Sequence, residues 1–305
     1  LLLVIGATMT HVALSLTGIA MASYARGLIS PNYPSLFRRT FKSKEDFENG
    51  YPVNYSINNL GALIGQYLFP LLVVSIGFKG GFLLSMLMIL VAFFIFVFSR
   101  KSFVAVGAEI DQKAVGLKNW SLFSIISLGM ISLVFFMYSN MDMGKNIVYG
   151  IGLAAIFYFI VLMFKSERAD AMKMGSILLI TVLSTAFFVY YGQMMTSMTM
   201  VSINTMRGDL FGFIPIAPEA AMSMNPLWCM VAGPVIAWIF SALAKKNIVP
   251  STATKISMSF VLTALAFAIL TFAVKNIGSD IVIRPEVFLV IHFFQAFAEV
   301  IVGSM

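Results

Sequence analysis

Only 11% of the 305 residues are charged, and the chain has two histidines and one cysteine. Each scarcity closes off a kind of chemistry. The lone cysteine, Cys229, sits in an apolar run, so there is neither a disulfide framework nor a thiolate metal cluster. No His-Glu-x-x-His, nucleophile elbow, P-loop or pair of aspartates is found, and no cofactor is expected. A soluble domain of this length would need more charge than this. With 60% hydrophobic residues and a mean hydropathy of +0.93, the chain reads as an all-α, polytopic membrane protein. The net charge of +7 raises the question of nucleic acid, but its distribution answers it differently.

The hydrophobic runs predict nine membrane spans, at about 11–30, 52–76, 81–98, 119–138, 146–164, 175–203, 225–244, 256–274 and 287–305. Each is long enough to cross a hydrocarbon core of ~30 Å at ~1.5 Å per residue. Nine spans place their loops on alternating sides. The loops 37–51, 99–118, 165–173 and 245–255 hold fourteen of the twenty Lys and Arg, from Arg38 to Lys255. The other side holds five: Lys79, Lys145, Arg207, Lys275 and Arg284. The bias makes the first set cytoplasmic and explains the positive charge without nucleic acid as a partner. Both ends of the chain lie in apolar sequence, so it reads as an internal portion of a longer one. Residues 1–98 read as the end of a first bundle and 174–305 as the start of a second. Between them, residues 99–173 form charged loops around a hydrophobic hairpin with few polar groups outside its turn, which suggests a lipid-facing addition.

Within the last span one residue stands apart. Of the thirteen acids, twelve fall in loops or at span edges, and Glu299 alone lies deep in apolar sequence. A carboxylate there costs several kcal/mol and usually serves a cavity or a partner. His292, Gln295 and Glu299 share one helical face. A packing role for Glu299, hydrogen-bonded to a neighbouring helix, is the alternative. His292 reads equally as a helix–helix donor or a proton relay. In the second span Tyr55, Asn59, Ala62 and Gln66 also share a face. The first span holds Arg26, able to snorkel or to line a pathway, and Pro31 should distort or stop that helix. The sixth holds Tyr190, Tyr191, Gln193, Thr196 and Ser197; the seventh opens with Asn225-Pro226, where Asn225 could simply cap the helix. Polar groups from both bundles, with ionisable residues of both signs, suggest a substrate pathway rather than an enzyme.

At these residues the chain resembles the proton-dependent oligopeptide transporters, the peptide branch of the major facilitator superfamily. Asn54-Tyr55-Ser56-Ile57-Asn58-Asn59-Leu60-Gly61-Ala62-Leu63 is similar to the family's Phe-Tyr, three residues, Asn, one residue, Gly-Ser/Ala-Leu. Gly27 to Asn32 resembles Gly-x-x-Lys-Pro-Asn, Met224-Asn225-Pro226 resembles Leu-Asn-Pro, and Gln295 to Glu299 resembles Gln-Thr-Leu-Gly-Glu. The resemblance implies a major facilitator fold, two helical bundles with an extra two-helix hairpin, covering the third to the tenth family helix. It implies symport of di- and tripeptides with protons by alternating access, by a monomer in a bacterial inner membrane. The implied substrate residues are Tyr55, Asn59, Tyr190, Gln193, Asn225 and Glu299. Desolvation favours the neutral form of a carboxyl group, so Glu299, with His292, is the candidate for proton coupling. Ser30 stands where the family has lysine, and Gly192 where it often has Glu. Arg26, one turn before Ser30 on the same face, would then meet a substrate carboxylate. Loss of that lysine keeps open a different amine or carboxylate cargo, carried uncoupled or by exchange.

Overall fold

The computed structural model describes residues 2–104, 113–275 and 282–303. Eleven α-helices make up almost all of it: α1 (Leu2–Thr8), α2 (Val12–Arg39), α3 (Lys44–Phe98), α4 (Arg100–Val104), α5 (Leu117–Ser139), α6 (Met141–Lys165), α7 (Arg168–Tyr191), α8 (Ser197–Thr205), α9 (Met224–Ala244), α10 (Thr252–Val274) and α11 (Pro285–Gly303). Extended pairing among the described residues is confined to two isolated bridges, Met206 with Ile283 and Leu210 with Ile214. Among the described residues eight stretches are long and apolar enough to cross a membrane. The expected ninth is absorbed because the second and third predicted spans are the two arms of α3. Its apolar part, Val53–Phe98, would extend ~69 Å if straight, more than twice a hydrocarbon core. The arms meet at Gly77, with φ 68° and ψ 172°, a conformation essentially reserved for glycine.

Two further expectations need correction. Pro31 neither stops nor ends α2, which continues through Pro31 and Pro34 to Arg39. The turn is reinforced by the Asn32 side chain, which donates to the Leu28 carbonyl at 2.7 Å, the kind of polar support that lets spans keep prolines. The sixth predicted span is not one helix. It breaks at a short 3-10 turn, Gly192–Met195, followed by Thr196 at φ −123°, ψ −91°, before α8 resumes. The predicted last span runs to Met305, and its Ser304 and Met305 lie outside the described residues.

The chain forms two compact units, residues 1–47 with 75–166 and residues 48–74 with 167–305. In the first, α2 packs on α1 and α5, and α5 on α6. Two hydroxyl pairs join α2 to α5: Ser23 with Tyr138 at 2.9 Å and Tyr24 with Ser127 at 2.8 Å. In the second, α11 packs against both α9 and α10. Its core gathers Met194, Met198, Met206, Met224, Phe288 and Ile291. Unbranched methionines fill the irregular space around the α7–α8 break. Glu286, at the start of α11, accepts from the Phe211 amide at 2.7 Å and from Arg284 at 3.1 Å, which fixes the α8–α9 loop to that helix end. Tyr67 of α3 donates to the Pro215 carbonyl of the same loop at 2.7 Å.

Candidate functional site

Three side chains of the second unit cluster around one carboxylate. Tyr191, the last residue of α7, donates to Glu299 Oε2 at 2.7 Å. Cys229 Sγ of α9 donates to the same oxygen at 3.2 Å. Asn225 lies one turn before Cys229 on the same face, with its Oδ1 3.4 Å from the Tyr191 hydroxyl and 3.7 Å from Cys229 Sγ. Each donor has a single proton, and the shorter distances assign both to Glu299. That leaves the Asn225 amide open: the residue is 4% exposed, and its Nδ2 is buried without a hydrogen bond. Glu299 itself has no ion-pair partner among the described residues, and its Oε1 accepts no hydrogen bond there.

This carboxylate borders a cavity of about 320 Å³ lined by Tyr51, Tyr55, Phe188, Ile236, Phe240 and Val300 among others. Apart from Glu299 and the tyrosine hydroxyls, that lining is apolar, which strengthens any charge interaction inside it. Tyr55 is placed by the inner face of α3. Tyr55, Asn59, Ala62 and Gln66 are all half-buried, whereas Ile57, Asn58, Leu60, Gly61 and Ile64 are exposed. The Tyr55 hydroxyl lies near Cys229 and Glu299 but is buried without hydrogen-bond geometry to either. The cavity therefore offers a carboxylate without an ion-pair partner among the described residues and a tyrosine, with the Asn225 carboxamide buried in the cluster beside that carboxylate's donors. That combination suits a ligand with a cationic donor and amide-like groups.

Most of the other sequence candidates sit away from this cluster. Asn225 does not cap α9: the helix starts at Met224 behind a 3-10 turn, and the amide points into the cluster. Asn59 donates to the Tyr55 carbonyl of its own helix at 2.9 Å. Tyr190 is 53% exposed and packs edge-on to Phe267, while its neighbour Tyr191 reaches Glu299. Gln193 is engaged within the break, accepting from Ser197 at 2.6 Å. His292 and Gln295 are each 1% exposed and belong to the interior of the unit. His292 Nδ1 is without a hydrogen bond, and Gln295 donates to Met198 Sδ at 3.2 Å. Arg26 belongs to the first unit and is exposed there. Cys229 escaped the sequence reading as a site residue. Its one signal is the spacing of four from Asn225, and that spacing is meaningful only once Asn225 is known to face the carboxylate. Among the described residues no His/Cys/Asp/Glu group could hold a metal ion.

Kinked and interrupted membrane-spanning helices define a multi-pass integral membrane protein with the major facilitator fold. Residues 3–301 match the model of the POT family, and the chain belongs to that family. Among curated proteins it is similar to dipeptide and tripeptide permease B of Salmonella typhimurium, 24% identical over 311 residues, which cover all of this chain and 63% of that protein. It is likewise similar to dipeptide and tripeptide permease A of Pectobacterium carotovorum, 25% identical over 290 residues, covering 94% of this chain and 56% of the relative. The fold matches that of tetrameric PepTSo2, with a TM-score of 0.82 at 21% identity over the whole chain and 66% of that structure. It also matches a POT family transporter in complex with 5-aminolevulinic acid, with a TM-score of 0.72 at 22% identity over 91% of this chain and 60% of that structure. The chain thus spans between 56% and 66% of the length of these relatives.

Proposed function

We propose that the protein is a carrier, not an enzyme, that moves di- and tripeptides into the cell together with protons by alternating access. The observation that carries this reading is the Glu299 carboxylate, held by Tyr191 and Cys229 and facing a cavity, with no ion-pair partner among the described residues. An unpaired carboxylate in a low-dielectric site calls for either a cationic ligand or a proton. The terminal ammonium of a peptide supplies the first, and symport supplies the second. In this scheme Glu299 and Asn225 hold the peptide amino end, and Tyr55 and Asn59 read its backbone. Tyr190 and Gln193 lie along the pathway, and Arg26 meets the carboxylate end. Protonation of Glu299 then loosens the ammonium and favours release inside, with His292 as the second proton group. In this reading two bundles, 1–98 and 174–305, rock around a central site in a bacterial inner membrane, and the region 99–173 between them carries the lipid-facing hairpin. In this reading the functional unit is one chain.

The experiment is uptake of labelled dipeptide into proteoliposomes by the full-length protein, with and without an inward proton gradient. Accumulation above the external concentration only with the gradient is the expected result. Equilibration without accumulation would reduce the protein to a uniporter. A second reading keeps the carrier and changes the cargo to another small molecule bearing an amine and a carboxylate. Ser30 favours it, since the resemblance would place a lysine there. Absence of peptide uptake, together with uptake of a small amino acid derivative, would select it.

A further inference from the structure

Cys229 is the only cysteine of the chain and is completely buried, yet it does not sit in a purely apolar environment. Its thiol donates to Glu299 Oε2, an oxygen it shares with the Tyr191 hydroxyl. We propose that Cys229 is a positioning residue: with Tyr191 it ties down Oε2 of Glu299, so that Oε1 is the oxygen offered to the amino group of the substrate. The inference rests on the peptide reading given above and deepens it.

Three observations support it. Residues 225 and 229 are four apart on α9, so the carboxamide and the thiol stack along one face toward α11. The two donors reach Glu299 from different helices, α7 and α9, and a carboxylate held from two directions keeps one orientation without any cation. The third observation is independent of the cysteine. Asn225 is more than nine-tenths buried, and its Nδ2 stands unpartnered in the same cluster. A buried donor left open in the cluster that also holds a carboxylate with one free oxygen suits a ligand with both an acceptor and a donor, as the first residue of a peptide has. A thiol suits the holding role. It donates weakly and brings only a weak acceptor, so it steadies Oε2 without competing for the ligand ammonium. Tyr55, the other titratable group near the carboxylate, makes no hydrogen bond to it and leaves the task to Tyr191 and Cys229.

The test compares dissociation constants for an unblocked dipeptide and its N-acetylated form, by calorimetry on the purified full-length protein. Cys229→Val removes the donor at similar volume, Cys229→Ala does so with a smaller side chain if the branched one is not tolerated, and Cys229→Ser keeps a donor. The ratio of the two constants, acetylated over unblocked, is expected to fall about three- to tenfold in the Val or Ala variant, the effect of losing one weak hydrogen bond to a charged group. Affinity for the acetylated peptide should stay within about twofold, and Cys229→Ser should restore most of the ratio. In a Glu299→Gln background, which lacks the charge to be held, the Val substitution should change the ratio little. An unchanged ratio, or equal weakening of both peptides, overturns the role and leaves Cys229 as packing. A wild-type protein that binds neither peptide defeats the peptide reading and this inference with it, a result distinct from binding that ignores Cys229.

Discussion

The hairpin of α5 and α6 and the terminal helix α11 are built from equally apolar stretches, each able to cross a membrane, yet the fold treats them in opposite ways. Helix α5 buries none of its residues and α6 only Gly144. Helix α11 buries eight, including His292 and Gln295, and half-buries Glu299. Hydrophobicity brings a helix into the bilayer, but the gain is the same whichever face it turns to lipid. What draws α11 to the centre of its unit is its polar stripe, because an amide, an imidazole and a carboxylate in hydrocarbon must find partners or water. Away from its ends and its turn the hairpin has hydroxyls as its only polar side chains, and two of them, Ser127 and Tyr138, attach it to α2. Polar content, not apolar content, sorts these helices between lipid and interior.

This contrast can be broken most sharply at Glu299. Glu299→Gln keeps the shape and removes the charge, and we expect gradient-driven accumulation of peptide to fall at least ~100-fold, given that a buried charge interaction is worth several kcal/mol. Retained accumulation, measured in proteoliposomes, would remove Glu299 from coupling. Tyr191→Phe deletes one hydroxyl, the one 2.7 Å from that carboxylate. A hydrogen bond to a charged group contributes about 1.5–3 kcal/mol, so the half-saturating peptide concentration should rise about tenfold or more. The equivalent change at its exposed neighbour, Tyr190→Phe, should alter it less than about twofold. Arg26→Ala probes the other unit. If Arg26 meets the peptide carboxylate, affinity drops about fivefold and a C-terminally amidated peptide loses nothing further; normal uptake would dismiss it. The smallest effect belongs to the hairpin. Ser127→Ala with Tyr138→Phe removes both hydroxyl pairs at roughly 0.6 kcal/mol each. A thermal shift of a few degrees with unchanged transport is expected, and a transport defect would show that the hairpin does more than pack.

Much of this arrangement is legible in the sequence for a local reason. Charge is so rare that Glu299 declares itself, and the spacing of Tyr55, Asn59, Ala62 and Gln66 picks out the face of α3 that is in fact half-buried. Other features resist such reading. Tyr190 and Tyr191 differ by about 100° around a helix, and nothing local says which one meets the carboxylate. That depends on where α7 stops, at Gly192, and how it is rotated against α11. Asn225 reads as a plausible cap, but a preceding 3-10 turn moves the helix start and frees its side chain. Proline in α2 predicts an interruption, because the sequence does not reveal that Asn32 reinforces the same turn.

By itself, the sequence determined that this is a multi-pass α-helical membrane protein, where most of its spans lie, which loops are basic and which acid is exceptional. Each of these follows from sums over neighbouring residues, since partition into hydrocarbon is scored locally. Only the tertiary structure decided which donors hold Glu299, because those contacts join residues 70 and 108 positions apart in the chain. They depend on the rotation and crossing of helices packed in three dimensions, and no local pattern encodes that.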